Sequence, residues 1–190
     1  VNCEVVSPQL SKSQTFIKDA MLTLLGTGLI TLSGKISIPL GFTPVPLVLQ
    51  AQVVLLVSHM LGARRGAIAT LLFLAQGAMG LPVFSVGATQ GLARLLSPTG
   101  GYLTGYLMAS FVTPIIYGLG KRRGSLKAFI SIMAGTLLIY ALGATHLATF
   151  IGWSKALLLG VCPFIIPGLL KAVAATAAFT GLKQRGSASS

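Results

Sequence analysis

GYLTGYLMASFVTPIIYGLGKRR, residues 101–123, runs for twenty residues without a charge and then sets three cations side by side. Twenty helical residues at 1.5 Å each reach about 30 Å, the thickness of a bilayer's hydrocarbon layer. The triplet Lys121, Arg122 and Arg123 then marks a return to water and headgroups. Moving outward in both directions, the same alternation repeats. Apolar runs are predicted over residues 16–34, 46–62, 66–81, 101–120, 128–151 and 163–182. Arg64 and Arg65 punctuate the second and third. The reading is therefore an all-α integral membrane protein with six transmembrane helices in one domain, 1–190. Residues 1–15 form a polar N-terminal segment that does not read as a cleaved secretory signal, and 186–190 form a flexible tail.

Composition agrees. The 190 residues are 54% hydrophobic and 8% charged, and mean hydropathy is +0.87. Soluble domains carry about 25% charged residues, so this chain cannot coat a water-facing surface. The net charge of +12 comes from 14 basic residues against Glu4 and Asp19. A nucleic-acid surface would gather those cations on one face; here they fall in short clusters between apolar runs. With the N-terminus inside, the inner segments hold Lys12, Lys18, Arg64, Arg65, Lys121, Arg122, Arg123, Lys127, Lys183 and Arg185. The outer ones hold Lys35, Arg94 and Lys155, with Lys171 left in the sixth run. The positive-inside rule then puts both termini in the cytoplasm. Residues 153–161 read as a short helix lying at the interface, with Trp153 as its anchor.

Several chemistries lack their residues. No G-x-x-x-x-G-K-[ST] loop is present, and GLGKRRG at 118–124 does not have its spacing, so ATP is not hydrolysed by this chain through that device. Neither H-E-x-x-H nor G-x-S-x-G occurs. Cys3 and Cys162 match no zinc or redox spacing. His59 is expected near the inner interface and His146 as a packed or hydrogen-bonded residue. No enzyme, metal site or cofactor is expected. Asp19 lies at the cytoplasmic edge of the first run, so a carrier driven by its own intramembrane carboxylate is only an alternative.

Three features of the outer side stand above the apolar background. Prolines 44 and 46 stiffen the link over 36–46, Pro46 suits the first turn of the second helix, and Gln50 follows one turn in. Its amide can donate and accept. In the long link over 82–100, Arg94 precedes Ser97-Pro98-Thr99-Gly100-Gly101-Tyr102. Glycines ahead of a helix N-terminus, with a permanent cation nearby, suit a carboxylate. Lys171 lies about 12 Å into the sixth helix counted from Pro163, where an unpaired ammonium costs about 2.5–3.5 kcal/mol. Each feature also has a plainer reading: a rigid turn with a glutamine bonded to a neighbouring helix, a loop–helix cap, and a snorkelling lysine. Together, Gln50, Arg94, Gly100, Gly101, Tyr102 and Lys171 suit a small anion with one carboxylate and a compact polar head.

At these residues the chain resembles the BioY family of biotin-binding S-components of energy-coupling factor transporters. The matching segments are ISIPLGFTPVPLVLQ (36–50), LGARRGAIATLLFLAQGAMGLPVF (61–84), SPTGGYLTGY (97–106) and CPFIIPGLLKAV (162–173). The resemblance implies a multi-pass plasma-membrane subunit that takes biotin from outside. It implies partners as well: a transmembrane scaffold subunit and two cytosolic ATPases. By the same resemblance Gly100, Tyr102 and Arg94 lie at the ligand's carboxylate end and Lys171 near its ureido ring. Departures from the family pattern are Ser97 for glycine, Val48 for threonine and Gly168 for an aspartate. The small-residue surface of the first helix is also reduced to Thr23, Thr27 and Gly28. The loss at 168 leaves open a related small carboxylate, such as a biotin precursor, as the ligand.

Overall fold

A computed structural model of the chain describes residues 12–85, 91–119 and 124–188. Lys121, Arg122, Arg123, residues 1–11 and residues 189–190 lie outside the described residues. Helix α1 spans Lys12–Gly34, α2 Gln50–Leu61, α3 Ala63–Ala78, α4 Leu92–Leu96, α5 Gly100–Gly118, α6 Ser125–Ile151, α7 Trp153–Gly160 and α8 Ile165–Ala188. α8 thus continues into the stretch expected as a tail. Two short strands, β1 (Ser37–Ile38) and β2 (Leu47–Val48), pair antiparallel with Ser37 opposite Val48.

The apolar runs are helical, and each long helix exposes large apolar side chains: Leu25, Met60, Leu71, Phe111, Leu137 and Leu170. Such an apolar belt is a lipid-facing surface. Among the described residues, three helical segments are long and apolar enough to cross a bilayer, Lys12–Gly34, Ser125–Ile151 and Trp153–Gln184. α2, at 12 residues, reaches only about 18 Å. It is sheathed by protein instead, packing on α1, α3, α5, α6 and α8.

One start site differs from expectation. Pro46 does not open α2. Residues 47 and 48 pair with β1, and the helix begins at Gln50. Proline fixes its own φ and lacks an N–H, which suits the entry to an edge strand as well as a helix's first turn; here the strand wins. The result is a folded arm between α1 and α2 that reaches over one end of the bundle, with Thr43 Oγ1 donating to Leu159 O at 2.8 Å.

The helical hairpins turn on glycine. Gly62 (φ +84°) ends α2 and starts α3, and Gly152 (φ +80°) does the same between α6 and α7. In each, the glycine N–H closes the first helix, Gly62 onto Ser58 O at 2.8 Å and Gly152 onto Ala148 O at 2.9 Å. Its carbonyl then accepts the first bond of the next helix. An L side chain is strained at such φ, so both corners select glycine.

Inside, hydroxyls spend their donors on their own helices, as Thr70 does on Gly66 O and Thr136 on Ile132 O, both at 2.9 Å. This avoids unpaired polar groups where no water is at hand. Small residues let the backbones close up: a Cβ on Gly66 would lie 2.6 Å from Ser58 Cα. Thr23 and Thr27 turn into this interior, Thr27 Oγ1 reaching Ala69 O of α3 at 3.1 Å, while Gly28 faces open space. The small residues of α1 therefore do not form one outward surface. His59, in the last turn of α2, is buried within the protein. Its ring nitrogens meet Leu55 O at 2.8 Å and Ser131 Oγ at 2.7 Å, and its ring packs on Tyr117 and Phe179.

Candidate ligand-binding site

Beneath the β1–β2 arm lies a narrow cavity of about 50 Å³. Its wall is drawn from almost every element. The arm gives Val45, Pro46 and Val48, and α2 gives Gln50 and Gln52. The loop after α3 gives Phe84 and Ser85, α4 gives Arg94, the residue before α5 is Thr99, and α5 gives Tyr102 and Tyr106. Tyr140 comes from α6 and Lys171 from α8.

Arg94 is 8% exposed and its Nη2 donates to Ser85 Oγ at 3.2 Å. α4 holds it there. Gly91 N-terminal to the helix and Ser97 after it fix a single short turn, and Ser97 Oγ bonds back to Arg94 O at 2.7 Å. Burial lowers the guanidinium's pKa from its ordinary value, and Tyr106 acts the other way. A guanidinium is so strong a base that it remains a cation. Lys171 is half-buried on α8 and donates to Val48 O of the arm at 2.9 Å. No acid faces either one. Asp19, the one acid among the described residues, pairs with Arg65 at 2.7 Å. Two cations thus address one cavity without a protein counter-ion. That favours an anionic ligand, because a buried charge is stable only with a partner.

Four of the six expected site residues meet here: Gln50, Arg94, Tyr102 and Lys171. Two of these are partly committed elsewhere. Gln50 Nε2 donates to Ile30 O of α1 at 3.2 Å. The Tyr102 hydroxyl donates to Gly160 O at 2.7 Å, tying α5 to α7, so its ring walls the cavity. Gly100 and Gly101 do not line the cavity. A Cβ on Gly100 would strike Leu95 O, and one on Gly101 would strike His146 and lie 2.6 Å from Leu142 O. Their lack of side chains lets α5 lie against α4 and α6, and Gly100 N bonds Ser97 O at 2.8 Å. His146 completes that corner, its Nε2 3.1 Å from Ser97 O.

Sequence reading missed Gln52, Ser85, Tyr106 and Tyr140. Tyr140 donates its hydroxyl to Phe164 O at 2.9 Å and fills the space beside Gly168, where a Cβ would meet that hydroxyl. A tyrosine pair spaced 34 residues apart on two apolar runs carries no local signal. Gln52 was in plain view two residues after Gln50, inside an otherwise apolar run.

The chain matches the family model described as the BioY family over residues 7–188. It is 40% identical over 158 residues to a protein of Pyrococcus horikoshii named probable biotin transporter BioY, covering 83% of this chain and 91% of that one. It is 39% identical over 168 residues to the biotin transporter BioY of Rhizobium etli, covering 83% and 89%. Among solved structures, it is similar to the S-component for biotin from an ECF-type ABC transporter. That similarity has a TM-score of 0.82 at 26% identity and covers 92% of this chain and 95% of the other.

Proposed function

The chain belongs to the BioY family, and on that footing we propose that it is the substrate-capture subunit of a biotin uptake system. It takes biotin into the cavity beneath the arm and delivers it inward as an ECF-type S-component. The observation that carries this reading is the pair of cations, Arg94 and Lys171, facing one cavity with no acid beside them. Biotin brings one carboxylate, which answers Arg94 by a charge-assisted bond. Its compact ureido head then lies toward Lys171 and the first turn of α2.

Six helices, α1, α2, α3, α5, α6 and α8, span the plasma membrane, with both termini in the cytoplasm. Support comes from where the charges fall along the bundle. Asp19 and Arg65 put the starts of α1 and α3 at one end. Arg64, Lys127 and Lys183 lie at that same end of their helices, and Lys35, Arg94 and Lys155 at the other. The positive-inside rule makes the first end cytoplasmic and opens the cavity outward. A cavity of about 50 Å³ holds only about four water centres. Capture therefore includes outward displacement of the arm and the 82–100 link, then closure over the ligand. Reorientation falls to partners: a transmembrane scaffold subunit and two cytosolic ATPases supply the energy, since this chain has no phosphate loop.

Titration of the purified protein with biotin tests the capture step. Saturable binding, weakened by Arg94→Ala, is expected; a correctly inserted protein that does not bind biotin sinks the proposal. A second ligand, a small carboxylate related to biotin, is favoured by one observation: position 168 offers no carboxylate and Tyr140 occupies its space. Competition by biotin precursors decides between them.

A further inference from the structure

Gln52 sits in the first turn of α2, its backbone N–H on Leu49 O at 3.2 Å. The side chain is 3% exposed and lines the cavity. Its Oε1 is buried and meets no hydrogen-bond donor among the described residues. Two other buried oxygens share that condition, Thr31 Oγ1 and Ser37 Oγ, and neither residue lines the cavity. Gln50, two positions earlier, differs: its Nε2 is anchored on Ile30 O, and its Oε1 is not one of these buried, partnerless oxygens. An amide oxygen closed off from water and left unpaired destabilises a fold unless something meets it.

The chemistry around Gln52 says what that something is. The ionic groups of the cavity, Arg94 and Lys171, are donors only. Among the described residues, no carboxylate lines the wall. A ligand with an N–H therefore finds no charged acceptor here and must use a neutral one. The hydroxyls of Tyr102 and Tyr140 donate to backbone carbonyls, so they are already held in hydrogen bonds while keeping a lone pair. Among the described residues, the Gln52 carbonyl is the buried cavity acceptor with no hydrogen bond of any kind. Lys171 is tied to Val48 O, two residues before α2 begins, so Gln52 and Lys171 stand at the same end of the cavity.

We propose that Gln52 is a specificity-determining residue whose side-chain oxygen accepts a hydrogen bond from an N–H of the ligand's head, in the place a carboxylate would otherwise take. Resting on the biotin reading above, this assigns Gln52 to one ureido N–H, with the carboxylate at the far end on Arg94. A neutral acceptor recognises the donor without adding an anion to a cavity that must also admit a carboxylate. The residue selects for a cyclic urea or amide head over an isosteric head that presents only acceptors, because the latter sets oxygen against oxygen.

The test compares biotin with its two cyclic carbamate analogues, in each of which one ureido N–H is replaced by oxygen. Affinities are measured by calorimetry on the parent and on Gln52→Met and Gln52→Glu. The parent is expected to bind one of the carbamates about tenfold more weakly than biotin, the size of one buried neutral hydrogen bond. Gln52→Met should lose about the same on biotin and bind that carbamate and biotin within about twofold. Gln52→Glu, which keeps an acceptor, should restore the discrimination. Thermal unfolding without ligand provides the control, with Gln52→Met melting at or above the parent's temperature because an unpaired polar atom has been removed. A parent that does not distinguish biotin from either carbamate overturns the proposal. So does a Gln52→Met protein that binds biotin like the parent, or one that melts lower without ligand. A parent that does not bind biotin at all instead removes the biotin reading on which the proposal rests.

Discussion

At the Lys183 end of the bundle, His59 satisfies both ring nitrogens within the protein, on Leu55 O and Ser131 Oγ, and Lys183 bonds the Tyr117 hydroxyl at 3.0 Å. At the Arg94 end, polar groups of similar size keep capacity in hand. Among the described residues, Arg94 has Ser85 alone, Lys171 one backbone carbonyl, and Gln52 Oε1 nothing. His59, at 7%, and Arg94, at 8%, are equally little exposed. The contrast therefore does not come from depth. One end is finished by the chain itself, and on the reading proposed above the other is finished when a ligand supplies an anion and a donor. Polar groups left short of partners in a closed cavity are what that proposal rests on.

The sharpest way to break this contrast is to remove the cations. Arg94→Ala and Lys171→Ala should each leave the fold intact and weaken biotin binding. For Arg94 the loss should be about 30- to 1,000-fold, the cost of deserting a buried carboxylate. Lys171→Ala should cost about 10- to 100-fold, as a charge-assisted bond to a neutral head. Calorimetry on purified variants reads both. Parent-like binding by both would show that the cavity end is closed by something else.

Next in size are packing substitutions, which ought to act on stability at either end. Gly101→Leu drives a side chain into His146 and Leu142 O. It should lower stability by about 1–3 kcal/mol through overpacking, while the folded fraction binds biotin within about threefold of the parent. If Gly101 instead held the ligand by its backbone, affinity would fall with unfolding temperature unchanged. At the opposite end, His59→Ala takes the imidazole from Ser131, which keeps its own bond to Ala128 O, and opens space beside Tyr117 and Phe179. A loss of about 1–3 kcal/mol is expected from the lost hydrogen bonds and packing, with biotin affinity unmoved. Thermal unfolding in detergent, with and without biotin, separates the two effects.

These expectations show what could be read from the sequence. The apolar runs were legible because lipid demands length and removes charge, and both are counted along the chain. The loop of Arg94 and the depth of Lys171 were legible for the same reason, since a charge in an apolar run needs a partner. Gly100 and Gly101 were not, because a missing side chain looks alike whether ligand or helix approaches it. Gln50 and Gln52 were not separable either. Two residues apart on a helix they point to different neighbours. Only the seating of α2 against α1 decides that Gln50 donates to Ile30 O while Gln52 is left without a donor. Pro46 misled because its chemistry fits strand entry and helix start equally.

The smallest expected effect concerns the one ion pair among the described residues. Arg65 and Asp19 are 41% and 36% exposed, and such pairs contribute about 0–1 kcal/mol. Asp19→Asn should therefore change unfolding temperature little and leave biotin binding as it is, since the pair lies at the end of the bundle away from the cavity. Its value is diagnostic for energy coupling. A carrier working alone on an ion gradient needs a carboxylate that loads and unloads, and Asp19 is the one acid that the described bundle offers. Uptake by Asp19→Asn cells that matches the parent within about twofold, the size of a surface pair's contribution, leaves the driving force with partner ATPases. Uptake that collapses while binding persists would return that force to Asp19, and would make the Lys183 end something other than a finished scaffold.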